Sequence, residues 1–252
     1  MEYVIYIPVF NSENTIPELL KRLGSLDLKI KLLLFINDGS TDKTAEIIRE
    51  NMKSIPYLKL LDKKKNEGAV SALFDSMKQV EDAITNPEKT IIIRMDSDLE
   101  HQPEDIEKLI KPIISGETKI SAGYIPFDSR SGDALKEFNE KAGREQSMEF
   151  LSLDIPQFCP GFIAMRGDLF LKIHPLLAEK AKKFRSNYNE ELLSMDFVIL
   201  VIAKSLGHNP VAVKLSPIED RYIKKQPEEK LKHYLDCHKK TMEFLKDEFS
   251  RE

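Results

Sequence analysis

Short apolar runs alternate with amphipathic stretches through the first half of the chain. The runs are rich in Ile, Leu, Val and Tyr and have the length of strands; they cover residues 3–9, 31–36, 57–61, 90–95 and 119–124. Between them, apolar side chains recur at helical spacing, as at Val70, Phe74 and Met77 and again at Ile106, Leu109, Ile110 and Ile113. Near-continuous apolar strands separated by helices predict an α/β fold with a mostly parallel central sheet that helices cover on both faces.

Composition and charge narrow the class of protein. The chain has 252 residues, of which 41% are hydrophobic and 32% charged, so we expect a globular protein with one sizeable core. A net charge of -4 provides no positive field for a nucleic-acid backbone, and we expect no nucleic-acid partner. Cys159 and Cys237 form no paired motif, which favours a reducing, cytoplasmic setting. The longest apolar run, residues 197–203, is too short for a membrane span, and the first residues do not resemble a signal peptide.

Polar segments follow four of the predicted strands. They read "PVFNSEN" at 8–14, "NDGSTDKT" at 37–44, "KKKNEGA" at 63–69 and "DSDLEHQP" at 96–103. Each segment alone is also compatible with a turn or a helix cap. Ligands of open α/β sheets bind outside the carboxyl ends of the strands, so four such segments in succession favour a binding site at that edge.

The residue types at this edge suit a nucleotide. Backbone N–H groups of Gly39, Ser40 and Gly68, near predicted helix starts, can donate to phosphate or sugar oxygens. Asp38 offers a carboxylate to hydroxyl groups or to a base N–H. A nucleotide is one ligand that requires both kinds of contact.

The Asp-Ser-Asp triplet after the fourth strand suits a hard divalent cation. Mg²⁺ or Mn²⁺ takes one or two carboxylates plus substrate phosphates, and Asp96 and Asp98 provide such carboxylates. The cation would neutralise a diphosphate leaving group. The alternative is an acidic loop that only caps the next helix.

Four segments in this order resemble the N-terminal half of the family 2 glycosyltransferases of the GT-A fold. They are "IPVFNSENTI", "LLLFINDGSTDKT", "KKKNEGAVSALFDSM" and "IIIRMDSDLEHQPEDIEKLI", and the resemblance covers about residues 3–115. It implies a Rossmann-like nucleotide-binding sheet, a UDP- or GDP-sugar donor and a divalent cation, Mn²⁺ or Mg²⁺. The implied donor contacts are Pro8, Phe10, Asn11, Asp38, Asn66, Gly68, Asp96 and Ser97. Asp98 is the implied direct metal ligand, with Asp96 as a ribose contact or second ligand.

The second half of the chain resembles the same family less closely. The segment "QFCPGFIAMRGDLF" is similar to the family's acceptor-side segment and implies that Gly161 and Phe162 border the sugar pocket. "EELLSMDFVILVIAKSLGHNPVAV" resembles the family's base segment, although Met195 replaces the expected Glu and leaves Asp196 as the implied catalytic base. The residues themselves predict a buried helix over 197–206, so capping of that helix is the alternative role for Asp196.

The tail after the core leaves the acceptor class open. It resembles a loop of polyprenyl-phosphate glycosyltransferases, and Arg221 matches the loop's Arg, whereas Lys224 and Gln226 replace its Gly and Ser. We expect Arg221 to contact the donor diphosphate, with a solvated basic turn as the alternative. Because no transmembrane helices follow, we rank a saccharide or glycoconjugate hydroxyl above a lipid-linked phosphate as acceptor.

Several further expectations concern the division of the chain into domains and the role of its last helix. We predict one domain over 1–220, with a donor half at 1–115 and an acceptor half at 116–220, followed by a basic turn and an amphipathic helix at 221–252. Residues 125–150 are predicted to form a mobile loop leading into a helix. The apolar stripe of the last helix is expected to pack on the domain, with a membrane-surface or homodimer contact as alternatives; it comprises Leu231, Tyr234, Leu235, Met242, Leu245 and Phe249.

Two other functions remain open at this point. A sugar nucleotidyltransferase shares the sheet and the metal chemistry but would usually carry a Gly-rich, basic segment after its first strand, which "PVFNSEN" is not. A non-catalytic binding module would keep the pocket and lose Asp98 or Asp196. His101 is expected to be a surface residue.

Overall fold

The computed structural model describes residues 1–125, 134–153, 160–222 and 228–249. Its strands are β1 (Glu2–Val9), β2 (Ile30–Asn37), β3 (Leu58–Asp62), β4 (Thr90–Met95), β5 (Ile120–Tyr124), β6 (Phe162–Arg166) and β7 (Val211–Lys214). Its α-helices are α1 (Ile16–Gly24), α2 (Thr44–Met52), α3 (Ala69–Ala83), α4 (Ile106–Ile114), α5 (Ala134–Leu151), α6 (Gly167–Tyr188), α7 (Met195–Ser205) and α8 (Glu228–Phe249). Short 3-10 turns lie at Pro87–Lys89, Pro103–Asp105 and Asp220–Tyr222.

The strands join in one sheet with the order β3-β2-β1-β4-β6-β5-β7. β1 pairs in parallel with both β2 and β4, and β2 pairs in parallel with β3. β6 is antiparallel to both of its neighbours, β4 and β5, while β7 is parallel to β5. The predicted mostly parallel sheet is therefore confirmed, and among the strands in the described ranges β6 alone runs against the others.

Alternate residues of each central strand supply the cores on the two faces of the sheet. Val4 and Tyr6 of β1 pack with α3, α6 and α7, whereas Tyr3, Ile5 and Ile7 pack with α1, α2 and α4. All five of these side chains are buried, and the apolar runs are continuous because both faces need apolar side chains.

The helices of the second half close one face of the sheet. The predicted buried helix is confirmed as α7, in which every residue from Met195 to Ala203 is buried. α5 confirms the predicted helix after the 126–133 segment, and the predicted mobile loop in that segment lies outside the described residues. In α8 the predicted stripe packs on the domain through Met242 and Leu245, which are buried in the same core as α7. None of the helices in the described ranges combines the length and the apolar character that crossing a bilayer requires.

Candidate functional site

The predicted site lies at the edge of the sheet where β1, β2 and β4 end. These strands are parallel, so their carboxyl ends share one edge. β6 is antiparallel to β4, with Phe162 opposite Met95, so β6 begins where β4 ends. The structure thus brings Gly161 and Phe162 to the edge that carries Asp96 and Asp98.

Asp38, directly after β2, holds the loop that opens α3. Its side chain is buried, and Oδ1 accepts a hydrogen bond from the amide of Glu67 at 3.0 Å while Oδ2 accepts one from the amide of Gly68 at 2.8 Å. Oδ1 of Asn66 also accepts from the Gly68 amide, at 3.0 Å. A carboxylate has about four acceptor positions, so Asp38 retains acceptor capacity for a ligand after fixing this loop.

Lys63 balances the charge of Asp38. Its side chain is only 8% exposed, and its Nζ lies 3.3 Å from Asp38 Oδ1, 3.0 Å from Glu67 Oε2 and 3.1 Å from Asp75 Oδ2. Burial by itself lowers the pKa of Lys63, but hydrogen bonds to the three carboxylates raise this pKa overall. Sequence reasoning missed Lys63, because nothing in three consecutive lysines shows which one is buried.

The segment after β1 is tied to the segment after β2. The amide of Asn11 donates to Ser40 Oγ at 2.9 Å, and Asn11 Oδ1 accepts from the amide of Thr41 at 2.9 Å. Asn11 has a φ of 48°, in the left-handed region that Asn tolerates better than most residues. Pro8 is half-buried in β1, and the ring of Phe10 is exposed beside this fixed turn, where it can stack on a planar ligand.

The Asp-Ser-Asp segment is held in a turn beside the β1 segment. Ser97 is buried, and its Oγ lies 3.1 Å from Ser12 Oγ. Asp98 is half-buried, and its Oδ1 accepts from the amide of Glu100 at 3.1 Å. The intervening Leu99 has a φ of 64° and is fully buried. A left-handed non-glycine residue costs about 1–3 kcal/mol, and such residues cluster at functional sites.

Arg94, the charged residue of β4, joins Asp96 to Asp196. Its Nη2 lies 2.9 Å from Asp96 Oδ1 and its Nη1 lies 3.0 Å from Asp196 Oδ2. The amide of Gly161 donates to the same Asp196 oxygen at 3.0 Å. Asp196 stands in the first turn of α7, and its described hydrogen bonds go to these two groups at the sheet edge, not to the amides of its own helix.

Gly161 fits a gap that admits no side chain. Its φ is 63°, and a Cβ there would overlap Asp96 Oδ2, lie 2.9 Å from His101 Cε1 and lie 3.2 Å from Arg94 Nη1. Phe162 is fully buried, with its ring centroid 5.4 Å from that of His101. The contribution of Gly161 and Phe162 to a sugar pocket stays a prediction.

The expectation for His101 was wrong, because the side chain is buried and 7% exposed. The imidazole packs against Gly161 and Phe162 at the start of β6. Within the described residues neither ring nitrogen has a hydrogen-bond partner. Burial lowers the pKa of His101 to about 4, despite the opposing effect of the Asp98 carboxylate, so the imidazole is neutral at pH 7.

Arg221 lies against α1. Its guanidinium pairs with Glu219 at 3.0 Å and Glu18 at 3.6 Å and stacks over the Tyr222 ring at 4.6 Å. The side chain is 59% exposed. A contact between Arg221 and a donor diphosphate stays a prediction, and Lys224 and Gln226 lie outside the described residues.

The carboxylate oxygens at this edge fit a divalent cation that binds together with a diphosphate. Carboxylate oxygens of Asp96 and Asp98 suit Mg²⁺ or Mn²⁺. Within the described ranges no group of three or more His, Cys, Asp or Glu side chains forms a complete ion site. Mg²⁺ commonly uses one or two carboxylates and completes its shell with water and substrate phosphates, so two carboxylates are compatible with such an ion.

The sequence model of glycosyl transferase family 2 matches residues 4–173. The chain therefore belongs to this family, and the predicted resemblance is confirmed.

Two relatives and one solved structure illustrate the similarity. An uncharacterized glycosyltransferase of Bacillus subtilis, YkcC, is 33% identical over 114 residues, which are 44% of this chain and 33% of that protein. A dolichyl-phosphate beta-glucosyltransferase of Trichomonas vaginalis is 27% identical over 213 residues, 81% of this chain and 61% of that protein. The chain thus spans less than two thirds of either relative.

The solved structure is that of glucosyl-3-phosphoglycerate synthase of Mycobacterium tuberculosis in complex with Mn²⁺, UDP and glucosyl-3-phosphoglycerate. It superimposes on this protein with a TM-score of 0.58 and 17% sequence identity, and the match covers 98% of this chain and 79% of that chain. This likeness confirms the predicted GT-A fold.

Proposed function

We propose that the protein transfers a sugar from a nucleotide diphosphate sugar to a hydroxyl group of a saccharide or glycoconjugate, with a divalent cation and with inversion at the anomeric carbon. The observation that carries the proposal is the meeting of two carboxylates distant in sequence, since Arg94 contacts both Asp96 and Asp196. A single displacement needs a leaving-group site and a base within one cleft, and this edge of the sheet supplies candidates for both.

The donor nucleoside would lie along the ends of β1 and β2. Asp38, with Asn66 and Gly68, would contact the base or ribose, and Phe10 would stack on a ring beside Pro8. These assignments rest on family resemblance together with the fixed loop around Asp38. Three hydrogen bonds already hold this loop without a ligand, which would lower the entropic cost of binding.

The donor diphosphate would lie at the end of β4. Ser97 and Asp96 would stand beside it, with Arg221 as a further contact, and Asp98 would hold the cation with Asp96 as the second carboxylate. When bound, the cation neutralises the charge of the departing diphosphate. The contact between Ser12 and Ser97 keeps the β1 and β4 segments together on this side.

Asp196 would act as the base on the acceptor side. Its Oδ2 is held by Arg94 and by the Gly161 amide, while among the described residues Oδ1 receives no hydrogen bond. Oδ1 would accept the hydroxyl proton as the acceptor oxygen forms its bond to the anomeric carbon. The bond to the diphosphate oxygen breaks in the same step, and its electron pair leaves with the nucleoside diphosphate.

A polyprenyl-phosphate acceptor is the second candidate, because a relative in Trichomonas vaginalis is a dolichyl-phosphate beta-glucosyltransferase. A phosphate oxygen is already anionic and needs no base, so Asp196 would be dispensable for that reaction. An anionic acceptor would also require cationic contacts. Arg94 is already paired with two carboxylates, which favours the hydroxyl acceptor.

We infer a cytoplasmic site of action, because the two cysteines form no paired motif in the sequence. Cys237 is a buried free thiol, which agrees with a reducing setting. A peripheral contact with the inner face of a membrane would accompany the lipid-linked acceptor. A homodimer contact through exposed parts of α8 stays a further expectation.

The test incubates the protein with Mn²⁺ and a panel of UDP-, GDP- and dTDP-sugars and measures the release of nucleoside diphosphate, with EDTA as the control. Metal-dependent release from one donor, accelerated by saccharides, supports the proposal. Acceleration by a short-chain polyprenyl phosphate alone supports the second candidate. Release of pyrophosphate from a nucleoside triphosphate and a sugar phosphate would instead indicate a nucleotidyltransferase.

A further inference from the structure

The proposed donor site and the proposed base give Arg94 no function of its own, although Arg94 contacts a carboxylate of each. We propose that Arg94 is a positioning residue that orients the Asp196 carboxylate for proton transfer and links it to Asp96 on the donor side. The inference rests on the proposed function, since it assumes that Asp196 is the base.

The guanidinium spans two carboxylates with two different nitrogens. Nη1 contacts Asp196 Oδ2 at 3.0 Å, and Nη2 contacts Asp96 Oδ1 at 2.9 Å. A guanidinium is planar and rigid, so one carboxylate cannot move with the guanidinium without changing the contact of the guanidinium with the other carboxylate. A lysine ammonium is a point charge on a flexible stem and does not fix two carboxylates in this way.

Burial makes these contacts difficult to replace with water. The side chains of Arg94 and Asp196 are 16% and 7% exposed. The remaining described hydrogen bond to Asp196 comes from the Gly161 amide, to the same Oδ2. Without Arg94, one hydrogen bond to a single oxygen would hold the carboxylate and would leave it free to rotate. A displacement of about 1 Å of a catalytic group can cost about 100-fold in rate.

Two other roles for Arg94 predict different measurements. If Arg94 bound the donor diphosphate directly, its loss would raise the donor KM more than it lowers kcat. If Arg94 only neutralised buried charge, its loss would lower the melting temperature and leave kcat per folded molecule unchanged. A positioning role acts through Asp196, so it predicts a loss of kcat that disappears when Asp196 is already inactive.

The experiment is a double-mutant cycle with Arg94→Met, Asp196→Asn and the combined variant, assayed with the donor found in the panel. We expect Arg94→Met to lower kcat by about 100-fold in the wild-type background and by less than about threefold in the Asp196→Asn background. Donor KM should change by much less than kcat, although Asp96 also loses a contact. Arg94→Lys should recover only part of kcat. Circular dichroism and thermal melting check folding.

Arg166→Met is the matched control. Arg166 is also a partly buried arginine, paired with Asp168 and located at the far end of β6 from Gly161. It should leave kcat unchanged.

A crystal structure of Arg94→Met, or of Arg94→Lys if the first variant is unstable, gives a readout independent of activity. We expect the Asp196 carboxylate to be rotated from its orientation in the wild-type structure, since the Gly161 amide alone holds only one of its oxygens. The proposal would be overturned if Asp196 did not move in the crystal. It would also be overturned if Arg94→Met lowered kcat by the same factor in the wild-type and the Asp196→Asn backgrounds. Failure of the proposed function is a different result, in which Asp196→Asn transfers sugar at the wild-type rate although Asp196 moves in the crystal.

Discussion

The amide of Gly161 donates a hydrogen bond to Oδ2 of Asp196 across 3.0 Å, which joins the start of β6 to the start of α7. The same glycine lies against Asp96, so a residue without a side chain separates the Asp96 carboxylate from the Asp196 carboxylate. The spacing of the two carboxylates therefore depends on this position remaining glycine.

Gly161→Ala should lower both stability and transfer. An alanine in the left-handed region costs about 1–2 kcal/mol, and overlap with Asp96 and His101 should add about 1–3 kcal/mol. Gly116→Ala is the control, because Gly116 has a φ of 80° but open space around its Cβ position. Urea unfolding measures both variants, and equal losses of free energy would show that the overlap relaxes without cost.

Lys63→Met should weaken nucleotide binding. It leaves the buried Asp38 without its cationic partner, which should destabilise the loop by about 1–3 kcal/mol and raise the Kd of the nucleoside diphosphate about tenfold. Lys65→Met is the control from the same loop, since Lys65 is 78% exposed. Calorimetry with Mn²⁺ and UDP or GDP gives the Kd. The same Kd for both variants would contradict a role for Lys63 in holding Asp38.

His238 should make the fold sensitive to acid. It contacts Ser194 just before α7, and burial lowers its pKa to about 3, against about 6.5 for a free histidine. Between these values the unfolded chain binds the extra proton, so the free energy of unfolding falls as the pH decreases below about 6.5. At pH 5 the contribution of His238 to this loss is about 2 kcal/mol.

His238→Asn should therefore reduce the difference in unfolding free energy between pH 7.5 and pH 5. The control is His233→Asn on the same helix, where the side chain is exposed. Chemical denaturation at the two pH values checks this, and an unchanged difference in His238→Asn would exclude His238 as the source.

Asp98→Asn should remove the metal dependence of donor binding. The substitution keeps the size of the side chain and removes the charge that attracts the cation. We expect the Kd for Mn²⁺ in the presence of UDP or GDP to rise by about 100-fold. Asp82→Asn, at a side chain 69% exposed on α3, is the control. Unaltered Mn²⁺ affinity in Asp98→Asn would assign the cation to other residues.

Much of the sheet could be predicted because buried parallel strands require continuous apolar runs. The ends of observed β1 to β5 agree with those of the predicted strands to within one residue, which is within the ordinary uncertainty of element ends. β6 was missed because "FIAMR" is short and runs directly into α6, so no turn separates two patterns. α6 was missed because it is largely polar and contains Pro175.

The gathering of Asp38, Ser97 and Asp98 at one edge was predictable, because parallel strands end at the same edge of a sheet. Asp38 lies at that edge because it directly follows β2, and Ser97 and Asp98 lie there because they belong to the short segment that follows β4. Lys63 and His101 were not predictable, since burial at each depends on contacts from other segments. An arginine inside the apolar run "IIIRM" was a signal that the sequence reasoning passed over, because a charge in a buried strand needs partners.

The most direct test of the account measures donor affinity and transfer rate in the Asp196→Asn variant under the same conditions. If Asp196 is the base for a hydroxyl acceptor, the Kd of the nucleoside diphosphate with Mn²⁺ should stay within about threefold of wild type, since Asp196 does not hold the donor. Transfer should fall by about 100- to 10,000-fold. Transfer at the wild-type rate would contradict the account and would favour an acceptor that is already anionic.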